Sequence, residues 1–226
     1  MAIARAPRVG ILVECGRGGL EDVLCRRICE LLRERTGIGF EEDIVPMDSK
    51  RNLIQDCDPT TASLFNSGCD RVVILWDERP AWPRKGDRLC WHNDRQDILQ
   101  NLLRAQVANR PVHLVCIERE FESWLLFDHQ MLSRVLSRRT HPELVSPQKN
   151  PHRLPDPRGT MKNLFDQHGG WTYVDLEFAN KFARHLQTLD NLRRCDTFRR
   201  FAQHVLEQMP NGWPPFVYRP RRRRDG

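Results

Sequence analysis

Three short, largely apolar runs, Val9–Val13, Arg71–Trp76 and Val112–Ile117, alternate along the first half of the chain with segments of helical period. Apolar runs of this length read as strands. Strand and helix in alternation argue for an α/β fold, a mostly parallel sheet covered by helices on both sides. Between these runs, Leu20–Arg35 is amphipathic and stops near Gly37, and Gly39–Val45 reads as a further strand. A loop rich in Asp, Pro and Thr leads to a short helix at Thr61–Asn66. Pro80 to Asn93, full of Pro, Gly and Trp, reads as a loop before a helix at Asp94–Ala108 capped by Asp94.

The second half changes character. Helical periods recur at Phe121–Phe127, Gln130–Ser137, Thr160–Gln167, Leu176–Thr188 and Asp196–Gln208, with no run of β-branched residues among them. Five prolines between His141 and Arg158 mark a long loop. The expected organisation is an α/β domain over residues 1–128, a helical layer over 129–218 completing the same unit, and a basic tail over 219–226. No internal repeat is evident.

With 226 residues, 39% of them apolar, the chain can bury a sizeable core. No run approaches the ~18 apolar residues of a membrane helix, and the first residues lack an apolar signal core, so the expectation is a soluble, cytoplasmic protein with no membrane association. The net charge of +6 is concentrated at one end: Arg219 to Gly226 carries +4, leaving a body that is nearly neutral. Such a tail either adds affinity for phosphate backbones or is simply solvated.

The eight cysteines include no Cys-x-x-Cys pair and are expected to be free thiols, Cys25 and Cys29 sharing the inner face of a helix. Cys90-x-His92 with His113-x-x-Cys116 would supply four zinc ligands. Strand alternation, however, points His113 and Cys116 to opposite faces, which argues against that site.

Two acids stand at the carboxyl ends of strands: Glu14 closes the first run and Asp77 the second. In an open α/β sheet ligands bind in the crevice beyond those ends, so two acids on neighbouring strands can converge on one Mg²⁺ or Mn²⁺, whose octahedron water and substrate phosphate complete. The turn Glu14-Cys-Gly16-Arg-Gly18-Gly19 leads straight into a helix. Its N–H groups suit a phosphate, although it fits neither a P-loop nor Gly-x-Gly-x-x-Gly. A third group of acids, Glu118, Glu120 and Glu122, follows the last strand as Glu118-Arg-Glu120-Phe-Glu122-Ser-Trp124-Leu-Leu126, with Trp124, Leu125 and Leu126 as core anchors. Each of these acids has an ordinary structural alternative as a helix cap or a solvated loop residue.

The order strand-Glu14, strand-Asp77 and then Glu118-x-Glu120-Phe-Glu122-x-Trp124-Leu-Leu resembles the Toprim-like domain-of-unknown-function family 4276, a bacterial, defence-associated family. Pro157-Arg-Gly-Thr-Met-Lys162 and Leu192-Arg-Arg-Cys-Asp-Thr-Phe198-Arg-Arg-Phe201 are similar to its closing elements, so the resemblance runs from Val9 to about Leu206. It implies a Toprim fold in which the strand-end glutamate, here Glu14, is acid/base or metal ligand, and an Asp-x-Asp motif, here beginning at Asp77, binds Mg²⁺. The chain departs from that pattern twice: Cys15 replaces the glycine after the glutamate and Arg79 the second aspartate, leaving Glu78, Glu118 or Glu120 to fill the gap.

The expected activity is that of a metal-dependent phosphodiesterase, a nuclease in a bacterial defence or mobile-element setting. Its metal ligands would come from Glu14, Asp77, Glu78, Glu118 and Glu120, with Glu14, Asp77 and Glu120 in the catalytic centre. Phosphate contacts would come from Gly16, Gly18, Gly19, Arg79, Arg158 and Lys162. Two alternatives stand beside it. One is a non-catalytic Toprim-like module that binds nucleic acid or a partner ATPase, which Arg79 in place of aspartate favours. The other is an interaction protein presenting Trp82 and Trp91 to a partner.

Overall fold

Alternation along the strands divides the interior into two cores. In the computed structural model, which describes residues 5–79 and 91–214, four strands form one all-parallel sheet in the order β2-β1-β3-β4: β1 (Arg8–Val13), β2 (Glu41–Pro46), β3 (Arg71–Asp77) and β4 (Val112–Ile117). Val9, Ile11 and Val13 of β1, Val73 and Leu75 of β3, and Val115 and Ile117 of β4 face one core. Leu12, Val72, Ile74, Trp76 and Leu114 face the other. A sheet buried on both sides explains the continuous apolar runs.

The first core is covered by α1 (Leu20–Thr36) and by the helices of the second half: α4 (Glu122–Leu125), α5 (His129–Leu136), α6 (Pro157–Gly169), α7 (Asp175–His185) and α8 (Asp196–Leu206). Both halves of the chain therefore share one core. The second core is covered by α2 (Lys50–Asn66) and α3 (Trp91–Arg104). Gly10 allows α2 to lie close to β1, since a Cβ there would stand 2.7 Å from Leu64 Cδ1.

Four sequence expectations need correction. The Asp/Pro/Thr-rich stretch is not a loop but the first three turns of α2, which contains Pro59. A proline inside a helix costs about 3 kcal/mol, yet Leu53, Ile54, Cys57, Thr61, Leu64 and Phe65 recur at helical spacing and are buried. Packing of that stripe outweighs the proline. The helix expected at Phe121–Phe127 is a single turn. The helix expected at Asp94–Ala108 spans Trp91–Arg104, so Asp94 lies inside it and is no cap. The second strand begins at Glu41, not Gly39. The expected loop at residues 80–90, Trp82, the side chains of Trp91 and His92, Cys90 and the basic tail lie outside the described residues.

The helical half is locked by aromatic packing. Trp124 is fully buried, donates its indole N–H to Thr197 Oγ1 at 2.9 Å, and meets Phe198 edge-on and Phe121 and Phe201 obliquely. α8 also closes over β4, where His204 stacks on His113 with ring centroids 4.2 Å apart. Burial lowers both imidazole pKa values, that of His204 to about 4, so the pair stacks as neutral rings. The seven cysteines described are all free, with Cys25, Cys29, Cys57, Cys69 and Cys195 buried. Among the described residues no helix is long and apolar enough to cross a membrane.

Trp124→Ala is expected to destabilise the fold by about 3–5 kcal/mol, through lost burial and the lost hydrogen bond to the Thr197 hydroxyl. Urea unfolding followed by circular dichroism measures it; a loss below about 1 kcal/mol would mean that α4 and α8 are not joined through this ring.

Candidate active site at the carboxyl edge of the sheet

After β1 the chain runs one way to β2 and then returns across β1 to β3, so the strand order reverses between β1 and β3. In open α/β sheets such a reversal is the switch point at which ligands bind, beyond the carboxyl ends of the two central strands. Glu14 and Asp77 stand there. Val13 pairs with Leu75, and just beyond this point the Asp77 N–H donates to Glu14 Oε2 at 3.2 Å.

The two acids are adjacent, but their surroundings differ. Pleat alternation sends Glu14 to the face of α2 and α3, and Asp77 to the face of α1 and α4. Lys50 and Glu21 act on both acids, while Asp94 acts on Glu14 and Glu122 on Asp77. Burial pushes the Glu14 carboxyl up to about 7, against the pull of Lys50 and the Asp77 N–H. Burial and then repulsion from Glu14, Glu21 and Glu122 push Asp77 well above the usual aspartate range.

Lys50 escaped the sequence reading because its helix was read as a loop. It follows the N-cap Ser49, whose hydroxyl accepts the Asn52 N–H. The β2–α2 connection is bound to the end of β1 through Met47 N–H to Val13 O and Asp48 N–H to Cys15 O. The Lys50 ammonium is thereby delivered to these strand ends, where it is 5% exposed, 4.0 Å from Glu14 Oε2 and 3.6 Å from the fully buried Asp94, and donates to the Asp77 carbonyl.

On the opposite side stand Glu21 from the first turn of α1, Glu122 from α4, Arg158 from α6 and Asp175 from α7. Burial raises the Glu21 pKa and lifts that of Glu122 to about 7. Tyr173 donates its hydroxyl to Glu122 Oε1 at 3.2 Å, while Arg158 reaches Glu122 at 3.7 Å and Asp175 at 2.9 Å. Glu21, Tyr173 and Asp175 carry no motif. Only their position at the starts of helices that follow the strands, or cross their ends, could have marked them.

The remaining sequence candidates have structural engagements. Glu78 is buried, accepts the Arg119 N–H at 3.1 Å and holds the ends of β3 and β4 together. Glu120 accepts the Arg158 N–H at 3.0 Å, in the first turn of α6, and Glu118 accepts the Ser123 hydroxyl at its main-chain carbonyl. Arg79 donates to the Pro155 carbonyl, and Lys162 is exposed on α6. In the glycine turn, the Gly18 N–H goes to Asp22 and the Gly19 N–H to Gly16 O. The Asp22 carboxylate, 4% exposed, fills the anion position at the start of α1. Gly19 itself is obligatory, because a Cβ would stand 2.8 Å from that of Cys15 and 2.9 Å from Gly16 O.

Among the described residues no three His, Cys, Asp or Glu side chains are placed to hold a metal ion together. This includes the zinc pattern as far as it is described, His113 being stacked on His204. No family model, no curated protein and no solved structure matches the chain.

Glu14 and Glu122 bind protons more tightly in the folded chain than at their ordinary value of 4.5. The folded state therefore holds more protons than the unfolded one between about pH 4.5 and 7. Stability falls as pH rises through that window. In metal-free buffer the melting temperature is expected to drop across this interval, and Glu14→Gln, which keeps an acceptor for the Asp77 N–H, to shrink the drop. A pH-independent melting point would refute the assignment.

Proposed function

We propose that the chain is a Toprim-like, metal-dependent phosphodiesterase acting on nucleic acid, in the bacterial defence or mobile-element setting that its resemblance implies. The observation that carries this reading is the concentration of carboxylates, the buried Glu122 with the half-buried Glu14, Glu21 and Asp77, at the carboxyl ends of β1 and β3. Burial and mutual repulsion hold their proton affinities high. An arrangement of that kind is relieved by a cation, and strongly shifted carboxyls are a functional signature.

The donor chemistry fits Mg²⁺ or Mn²⁺. Magnesium takes hard oxygen ligands and needs only one or two protein carboxylates, with waters and substrate phosphate supplying the rest. The shortage of a third converging side chain is therefore no obstacle. Asp77 and Glu14 would hold the ion, which would supply Lewis-acid polarisation of a phosphoryl oxygen. Lys50 places a fixed positive charge against Glu14 and Asp94, keeping both carboxylates oriented. If Asp77 alone held the ion, Glu14, whose proton affinity lies near neutrality in the metal-free chain, would instead be suited to take a proton from an attacking water. Arg158, half-exposed above Glu122, is the cation best placed to meet a substrate phosphate.

One observation favours a second reading. The Lys50 ammonium already contacts Glu14, Asp94 and the Asp77 carbonyl, the position a cation would take, and Arg79 is bonded to Pro155. In that reading lysine substitutes for the ion and the chain is a binding module for nucleic acid or a partner ATPase.

Calorimetric titration with Mg²⁺ and Mn²⁺ separates the two. The enzyme reading expects binding that is lost in Glu14→Ala and Asp77→Ala, with cleavage of labelled DNA or RNA falling by at least about 10²-fold in Asp77→Ala while its circular dichroism is unchanged. Absence of both binding and cleavage in the wild type would sink it in favour of the module.

A further inference from the structure

The face formed by α5 and α7 holds positive charge that the carboxyl-edge site does not use. Arg134, Arg138, Lys181, Arg184 and His185 crowd together there. After burial, Arg138 is what lowers the proton affinity of Lys181, and Arg134, Lys181 and Arg184 act likewise on His185. Among the described residues none of the four permanent cations is ion-paired to a carboxylate. Arg134 donates to the His185 carbonyl at 2.9 Å and Arg138 to the Gly169 carbonyl, each bond using a fraction of the donors a guanidinium carries.

The same cations frame an aromatic ring. Lys181 Nζ lies 4.4 Å from the centroid of Trp171, and Arg138 Cζ lies 4.9 Å from it. Trp171 in turn lines an open concavity of about 490 Å³, together with Gly170, Thr172, Glu177, Phe178 and Lys181, in which Glu177 is the one carboxylate. Four cations with one carboxylate, Glu177, nearby, gathered around a ring beside a hollow, suit a ligand that is anionic at regular intervals and flat between them. A single strand of nucleic acid has both properties, whereas in a duplex the bases are paired away from the ring.

The patch is also connected to the carboxyl edge. α7 begins at Asp175, which holds Arg158 at 2.9 Å, and Lys181 follows six residues later, about 9 Å along the helix axis at 1.5 Å per residue.

We propose that the α5–α7 face binds single-stranded nucleic acid, with Arg138, Lys181 and Arg184 on its phosphates and Trp171 against a base, and leads the strand to the carboxyl edge. The destination of the strand rests on the phosphodiesterase reading. Its binding does not.

The test is fluorescence anisotropy of a labelled oligothymidylate of about 12 nucleotides with the full chain, in EDTA so that nothing is cut. Lys181→Glu combined with Arg184→Glu is expected to weaken binding by about tenfold or more near ~100 mM salt, and to flatten the plot of log affinity against log salt by about 1.4, two phosphates at ~0.7 each. Trp171→Leu is expected to weaken binding with that slope unchanged. The reversals relieve repulsion among the cations but remove the Lys181 contacts with Trp171 and Phe178, so the melting temperature is measured alongside; should it fall, Lys181→Gln with Arg184→Gln repeats the test without reversal.

Unchanged affinity and slope in the charge variants would overturn the proposal. So would tighter binding of labelled polyglutamate than of the oligonucleotide, which would assign the face to an acidic protein partner. Because the basic tail is present in every variant, it contributes equally throughout. A chain that binds through this face but never cuts would uphold the inference and sink the phosphodiesterase reading. A chain that cuts but ignores the reversals would do the opposite.

Discussion

The Asp77 N–H to Glu14 carboxylate hydrogen bond joins the ends of the two central strands, and the polar architecture of the carboxyl edge is arranged around it. It is made where the strand order reverses, the connections of β1 and β3 leaving to opposite sides. Charged groups from either side of the sheet can therefore meet at one edge. Lys50 and Asp94 arrive with the helices of one face, Glu21, Glu122 and Asp175 with those of the other. A parallel sheet makes this convergence inevitable, because every helix that follows a strand begins at the same end.

That convergence also explains why the acids are costly to ionise. Glu14, Glu21, Asp77 and Glu122 are largely withdrawn from water together, with Lys50 and Arg158 beside them as counter-charges. Desolvation and repulsion act in the same direction. The fold tolerates this because the load falls on the edge of two well-packed cores and not inside either one.

Much of the framework was legible in the sequence. β1, β3 and β4 announce themselves as apolar runs, α1 by its stripe and its terminal Gly37, and Glu14 and Asp77 by closing their strands. Periodicity is local information, and it failed where local signals conflicted. Pro59 and its polar neighbours masked α2, hence Lys50. Asp94 looked like a cap because its preceding residues resembled a loop. Glu120 and Glu78 accept the Arg158 and Arg119 N–H groups, engagements that sequence spacing cannot reveal. The cationic face was invisible for another reason. Arg134 and Arg138 are separated from Lys181 and Arg184 by a long proline-rich connection and the whole of α6, and only packing unites them.

The buried thiols make unfolding a one-way passage in air. Cys25, Cys29, Cys57 and Cys195 are inert while folded, since burial raises their proton affinities and excludes oxidants. A chain that opens releases them at once into solvent, where each regains its ordinary acidity and can form crosslinks that the native packing has no room to accept. Without a reductant, the lifetime of this protein is then set by how often it opens and not by how stable it is.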